Sequence, residues 1–404
     1  LVAGFGINPT SPPIDVMLII LAVIMAASVM EAAGGIDFLV RIAERIIRAN
    51  PKYVTIVAPL TTWTFTFVAG TGHIVYPLLP VIYETAHRSG IRPERPMAVA
   101  TIASQQAITA SPVAAATAAM IGLFAEKGMT QWGLPQILMV CVPATLTGVV
   151  AAAIVSMFVG KDLKDDPEYQ ARLAAGQIPA PQADTSRTPL KPGARLSAFI
   201  FLAGVALVVL FGFFPSLRQL PGAKSPLAMP IVIEILMMSV AAIMLLLTKV
   251  PVDEVPKTAT LRAGVVAVIG IFGLAWLGDS FIAANKDVIV PAIGDWAKVA
   301  PWTFAFGLFL ASVLLYSQAA TTRALMPLGI ALGIPPQFLI AMFPSVNGYF
   351  FIPTYGSLIA AINFDLSGTT KIGKYVLNHS FMIPGLVATS VAVFTGLLIA
   401  QAIF

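Results

Sequence analysis

Apolar runs of membrane length, interrupted by short clusters of small and polar residues, set the layout of this 404-residue chain. Asp15 to Ala33 is the first run, long enough at about 1.5 Å per residue to cross a bilayer, and Gly34-Gly35 ends it. From Ile36 to Ala49 the pattern changes. Ile36, Leu39, Val40, Ala43, Ile46 and Ile47 recur at helical spacing among Arg41, Glu44, Arg45 and Arg48, which predicts an amphipathic helix lying in the membrane interface. Tyr53 to Ala69 and Ile74 to Ala86 are apolar arms joined by Gly70-Thr71-Gly72-His73. A junction without formal charge makes a poor solvent loop, so a re-entrant hairpin is expected over 53–86; two full crossings with a tight exposed turn are the alternative. The run over 96–124 carries Ser104, Gln105, Gln106, Thr109, Ser111 and Pro112 in its middle. Proline removes a donor and frees a carbonyl one turn earlier, so this helix is expected to break at Ala110 to Pro112. A helix over 133–159 completes the first half.

Lys161 to Arg195 is hydrophilic and rich in proline and charge, and 161–194 reads as a cytoplasmic linker. Leu196–Phe214, Leu227–Leu247 and Leu261–Asp279 follow as spans, then a weaker amphipathic segment over 281–296. A second hairpin over 302–332 has arms Trp302–Tyr316 and Arg323–Leu332, with its tip starting at Ser317-Gln318-Ala319. A second broken helix runs over 337–362 around Asn347 to Tyr355, and a helix over 375–403 is last. The order repeats. Gly70 precedes Pro80 by the same spacing as Ser317 precedes Pro327, Ser104–Pro112 matches Ser345–Pro353, and Gly-Ile-x-Pro precedes both broken spans. The offset of 247 from Gly70 to Ser317 carries 15–33 onto 262–280, and the offset of 241 from Pro112 to Pro353 carries 133–159 onto 374–400. The spans at 196–214 and 227–247 have no earlier counterpart, so about two helices are expected before residue 1, as duplicated transporter architectures predict.

Composition agrees with the pattern. Hydrophobic residues make up 58% and charged residues 11% of the chain, against about a quarter charged in soluble domains, and mean hydropathy is +0.88. The class is an all-α polytopic membrane protein, in which 31 Gly and 31 Pro are tolerated where neighbours satisfy the backbone. The single Cys141 excludes a disulfide framework and a thiolate metal site. The net charge of +5 is unevenly placed and reads as membrane orientation, with no nucleic-acid partner. The segments 41–52, 88–95, 161–195, 249–262 and 371–374 collect most Lys and Arg, whereas Lys127, Arg218, Lys224, Lys286 and Lys298 fall on the other side. The first group is then cytoplasmic, the hairpins open to opposite sides, and the two repeats are inverted.

That leaves Arg323 at membrane depth, where a charge faces a protein-lined cavity and marks a substrate path. Its fork matches a carboxylate with two parallel hydrogen bonds. Broken helices and hairpin tips add N–H groups and positive helix ends. Thr71, Ser104, Gln106, Ser111, Ser317, Gln318, Thr321, Thr322, Asn347 and Thr354 add neutral donors, and Gly72, His73, Gln105, Tyr349 and Tyr355 complete the candidate set. An anionic small molecule is the expected ligand. Each assignment has a plainer reading: Arg323 snorkelling or paired structurally, His73 a satisfied core histidine, Tyr349 and Tyr355 packing groups. Asp279 and Glu234 read as interfacial or helix–helix residues, and His379 as the neighbour of a helix cap. With three histidines and no zinc-protease, serine-hydrolase or phosphate-loop motif, an enzyme is disfavoured, and no cofactor or metal is expected. A channel remains the alternative to a carrier.

Several strings carry a family resemblance. Gly70-Thr71-Gly72-His73, Gly90 to Pro96, Ala103 to Pro112, Asn347 to Tyr355, Gly368 to Gly373 and Asn378-His379-Ser380 resemble the anaerobic C4-dicarboxylate transporter (Dcu) family, its A-type branch above all. The resemblance covers the whole chain. It implies exchange or uptake of fumarate, succinate, malate and aspartate across the bacterial inner membrane. It also implies a homodimer in the lipid bilayer in which a hairpin domain (51–160 and 299–404) slides against a scaffold (1–50 and 195–298), an elevator of the ion-transporter-superfamily kind. More distantly the chain is similar to the divalent-anion/sodium symporters. Those carry Ser-Asn-Thr at both tips, where Gly70-Thr71-Gly72 and Ser317-Gln318-Ala319 stand here; the side chains expected to bind sodium are missing.

Overall fold

The computed structural model describes residues 14–178, 189–223, 225–277, 280, 281, 284, 285, 287 and 300–404; most of the amphipathic segment expected over 281–296, and Asp279, lie outside them. Among the described residues the secondary structure is helical, apart from one isolated bridge between Ile372 and His379. Five helices among the described residues are long and apolar enough to cross a membrane: α1 (Ile14–Ala32), α7 (Leu134–Ser156), α9 (Ala194–Phe213), α10 (Met229–Thr248) and α16 (Met382–Ile403). Their apolar residues are spread round the whole helix, and lipid-facing positions such as Phe199, Leu246 and Phe394 stay exposed.

The other apolar helices are short. α3 (Val54–Ala69) and α4 (Val75–Arg88) have 16 and 14 residues, about 24 and 21 Å at 1.5 Å per residue, against about 30 Å of bilayer hydrocarbon. α12 (Phe304–Leu315) and α13 (Gln318–Ala331) form the later pair. The first break separates α5 (Glu94–Gln106) from α6 (Ala115–Glu126). The second separates α14 (Pro336–Met342) from α15 (Gly356–Phe364). A 3₁₀ turn opens each break, at Ala107–Thr109 and Phe343–Phe350, and the chain then runs irregularly through Pro112 and Pro353. α11 (Ala259–Gly270) continues through a wide π turn at Ile271–Ala275.

Three elements differ from the sequence expectation. The helix over 36–49, α2 (Gly35–Ala49), turns its apolar face onto α3, α4 and α9 rather than lipid alone, burying Ile36, Leu39, Val40, Ala43 and Ile47. Arg48 on its far end pairs with the buried Glu84 of α4 at 2.7 Å. The last helix starts at Met382, because 371–381 folds back, with Lys371 N–H donating to Ser380 Oγ at 2.9 Å. His379 accepts from Phe381 N–H just before that helix, at 3.2 Å.

The third difference is the linker. Its first part, 161–178, contains a short helix, α8 (Pro167–Ala174), and docks against both halves of the chain. Arg92 pairs with Glu94 at 2.6 Å and with Asp166, and Arg95 reaches Asp162 at 2.9 Å. Lys371 meets Glu168 at 2.6 Å, and Arg172 donates to the Ser367 carbonyl at 2.7 Å. Glu94 also accepts from Ser380 Oγ at 2.6 Å, while the buried Asp365 accepts from Thr369 Oγ1 at 2.8 Å and Thr370 N–H at 2.6 Å. The segment stays largely exposed, as its hydrophilic composition predicts, and its alternating charges make a clasp.

Candidate functional site

The two hairpin tips share one construction. α3 ends on Gly70 at φ 71°, a conformation that favours glycine. Thr71 follows extended, its Oγ1 accepting from His73 N–H at 3.3 Å. α12 ends on Tyr316 at φ 50°, and Ser317 follows extended, its Oγ accepting from Ala320 N–H at 3.2 Å. Gly70 therefore matches Tyr316 and Thr71 matches Ser317, one position from the correspondence expected from proline spacing. The first tip opens with a 3₁₀ turn, Gly72–Ile74, which takes fewer residues per turn than the α-helix opening the second. A bulky residue at positive φ is strained by about 1–3 kcal/mol. Tyr316 is held there by a 2.6 Å hydroxyl contact with Thr354 and by stacking on Tyr355.

Tips and breaks together enclose a cavity of about 570 Å³. One wall carries Thr71, Gly72, His73 and Tyr76 from the first tip, Tyr316 to Ala320 from the second, and Gln105, Ala115, Ala116 and Tyr355 from the breaks. The opposite wall is α1, through Val23, Ile24 and Ala27, and α11 from Thr260 to Gly270. Among the described residues no Asp or Glu lines this space, and Arg262 is the only Lys or Arg. The starts of α6 and α13 and the residue before α15 lie on the wall, so several helix N-termini bring partial positive charge to it. The result is a largely apolar cleft with helix N-termini and Arg262 on its wall.

Behind the tips an amide network ties the halves together. Gln318 Nε2 donates to Gln105 Oε1 at 3.0 Å and to Asn347 Oδ1 at 3.1 Å. Asn347 Nδ2 donates to Gln106 Oε1 at 3.3 Å and to the Pro344 carbonyl at 3.0 Å, and Gln106 Nε2 donates to Thr389 Oγ1 at 2.8 Å. Tyr349 donates to the Thr101 carbonyl at 3.4 Å. Buried amides must be satisfied, so each member fixes the rotamer of the next.

The candidate residues thus divide. Thr71, Gly72, His73, Gln105, Ser317, Gln318 and Tyr355 lie on the cavity wall. Gln106, Asn347 and Tyr349 form the buried layer behind it, and Thr354 supports Tyr316. Ser104, Ser111, Thr321, Thr322 and Arg323 are absent from the wall. Ser104 bonds the Thr101 carbonyl at 2.8 Å, Ser111 accepts from Val113 N–H at 3.3 Å, and Thr321 and Thr322 bond the Ser317 and Gln318 carbonyls at 2.8 and 2.7 Å. The second tip was expected to stay open to Thr322; the Ser317 cap instead starts α13 at Gln318. That carries Arg323 about 8 Å along the helix from its start. There Arg323, with a side chain 3% exposed, places Nη2 2.8 Å from Glu126 Oε2 at the end of α6. Sequence reading missed Tyr76 and Tyr316, which no motif marks, and counted Arg262 only for orientation.

Comparisons with known proteins place the chain in a family. The family described as anaerobic C4-dicarboxylate membrane transporters matches residues 1–404. C4-dicarboxylate transporter DcuA of Escherichia coli K12 is 41% identical over 400 residues, 99% of this chain and 91% of that protein. DcuA of Wolinella succinogenes is 40% identical over 398 residues, covering 98% and 90%. Anaerobic C4-dicarboxylate transporter DcuB of Escherichia coli O6:H1 is 39% identical over 406 residues, covering 99% and 91%. In fold the chain is similar to the Alcanivorax borkumensis YdaH transporter, with a TM-score of 0.63 at 13% identity over 95% of this chain and 84% of that one. It is also similar to MtrF of Neisseria gonorrhoeae, with a TM-score of 0.61 at 15% identity over 95% and 80%. The chain is a multi-pass membrane transporter rather than an enzyme, and it belongs to the anaerobic C4-dicarboxylate membrane transporter family.

Proposed function

We propose that the chain is a secondary carrier for C4-dicarboxylates (fumarate, succinate, malate and aspartate), working by exchange or cation-coupled uptake across the bacterial inner membrane. The observation that carries this reading is the acid-free cavity between two capped tips. Its volume of about 570 Å³ falls in the range of small-molecule sites. One carboxylate meets the start of α13 at Ser317, Gln318 and the backbone N–H groups there; the other meets Thr71, Gly72, His73 and Gln105. A diacid satisfies both clusters, and a monoacid leaves one unmatched. Arg323 holds α6 to α13 through Glu126 rather than gripping substrate.

The two walls support a reading of alternating access. The tips, breaks, α7, α16 and the clasped segment 161–178 form one body; α1, α2, α9, α10 and α11 form a scaffold. The scaffold wall of the cavity is largely small and apolar, as a surface must be to let polar tips slide past it without losing specific bonds. We assign the two halves to inverted repeats with re-entrant hairpins, an elevator motion and a homodimer. The names of the relatives favour a carrier over a channel. The test is counterflow in proteoliposomes. Unlabelled fumarate inside should accelerate entry of labelled succinate; flux indifferent to internal substrate would mark a channel.

A further inference from the structure

Among the described residues, the scaffold wall carries one charge that the tips do not explain. Arg262 lies in the first turn of α11 and lines the cavity while staying exposed to solvent. Its guanidinium is held by the turn before the helix: Nη2 donates to the Lys257 carbonyl at 3.1 Å and Nε to the Thr258 carbonyl at 3.4 Å. Those bonds pin it at one end of the cavity. Glu31 of α1 comes to the same helix end, but its two carboxylate oxygens accept from Ala259 and Thr260 N–H at 3.0 and 3.1 Å, so it caps α11. Glu254 pairs with Lys257 at 2.7 Å. At the other end of α11, Gly270 faces Ala320 beside the second tip. Eight residues of helix separate the two levels, about 12 Å.

We infer that Arg262 is a one-sided selectivity residue: it draws one carboxylate of an incoming diacid into the cavity mouth from the Lys- and Arg-rich face, before the diacid reaches the tips. This rests on the reading of the cavity as the dicarboxylate site. Clefts lined by one sign of charge raise the entry rate of the opposite charge by about 10- to 1,000-fold, and one arginine at the mouth works at the low end of that range. The effect reaches about 8 Å at physiological salt, enough to act at the mouth and too short to govern a carboxylate at the tips. Because Arg262 sits on the scaffold, it stays behind when the tips move to face the other side. Diacids, with two charges, gain more from it than monoacids do.

The experiment compares right-side-out and inside-out vesicles from cells expressing the parent or Arg262→Gln, with half-saturation for succinate exchange measured against saturating substrate on the far side. Arg262→Gln should raise half-saturation about tenfold on the Lys- and Arg-rich face, change it less than about twofold on the other, and lose its salt dependence there, with Arg262→Lys restoring most of it. In the parent alone, added salt should raise half-saturation on that face more than on the other, a reading that does not depend on any variant folding. Equal shifts on both faces, or no sided salt effect in the parent, would overturn the inference. A parent that moves no succinate on either face would overturn the carrier reading itself, and this inference with it.

Discussion

Gln318 Nε2 donates to Gln105 Oε1 at 3.0 Å, and this bond joins the second hairpin tip to the first broken helix across the floor of the cavity. The same amide reaches Asn347 of the second broken helix at 3.1 Å. Substitution of Gln318 by Ala strips the donor from two buried acceptors, each left unsatisfied at about 1–3 kcal/mol. Gln318→Ala should bind succinate about 10- to 100-fold more weakly than the parent. Asn347→Ala, one layer further back, should lower the melting temperature more than it lowers affinity. Calorimetric titration and thermal melting of the purified variants check both.

The two tip glycines should fail differently. A Cβ at Gly70 meets the Val113 backbone carbonyl at 2.5 Å, and φ is 71°, so neither neighbour nor backbone can give. A Cβ at Gly72 meets the far end of the Gln105 side chain, which can swing aside at the expense of its bond to Gln318. Gly70→Ala should lose more than about 2 kcal/mol of stability from strain and overpacking, and Gly72→Ala should stay folded but lose substrate affinity. Equal melting temperatures for the two variants would refute this division.

Arg323 and Glu126 should behave as a structural pair. Arg323 is buried and Glu126 27% exposed, so losing the charge-assisted hydrogen bond between them costs about 1.5–3 kcal/mol. Arg323→Ala should destabilise the protein on that scale, while Arg323→Lys, still able to meet Glu126, should keep its preference for diacids over monoacids in the folded fraction. Loss of that preference in folded Arg323→Lys would return Arg323 to the substrate.

The clasp makes a pH prediction. Burial alone would raise the Asp166 carboxyl, but hydrogen bonds from Arg92 and from the Tyr169 and Glu168 N–H groups hold it below its ordinary value. A depressed carboxyl contributes stability above its unfolded value of about 3.9 and loses it as pH falls through the folded value. Asp166→Asn should therefore lower stability by about 1.5–3 kcal/mol, equally at pH 5.5 and pH 8, and the gap should close only below about pH 4. Melting curves across that range give the answer.

The helical layout was legible because apolar runs and proline positions are local signals. Gly70, Pro112, Ser317 and Pro353 marked tips and breaks that the structure places within a residue or two. The fate of the polar residues was not legible. Thr321, Thr322 and Ser104 spend their hydroxyls on carbonyls of their own helices. Nothing in the sequence says whether a hydroxyl turns inward to its backbone or outward to a cavity. The pairing of Arg323 was hidden for a related reason: depth alone marks a charge as functional, whereas its partner Glu126 is about two hundred residues away in sequence and adjacent only once α6 packs on α13. The docking of 161–178 was hidden too, since a charged segment reads as solvated until the opposite charges of Arg92, Arg95 and Lys371 are brought beside it.

The central claim is that both carboxylates of a four-carbon diacid are held between the two tips. The measurement that tests it most directly is calorimetric binding of succinate and of butyrate, its monoacid analogue, to the purified parent and to Gln318→Ala. The account predicts that the parent binds succinate at least tenfold more tightly than butyrate, and that Gln318→Ala loses most of that difference while remaining folded. Equal affinity of the parent for the two acids, or an undiminished preference for succinate in folded Gln318→Ala, would contradict it.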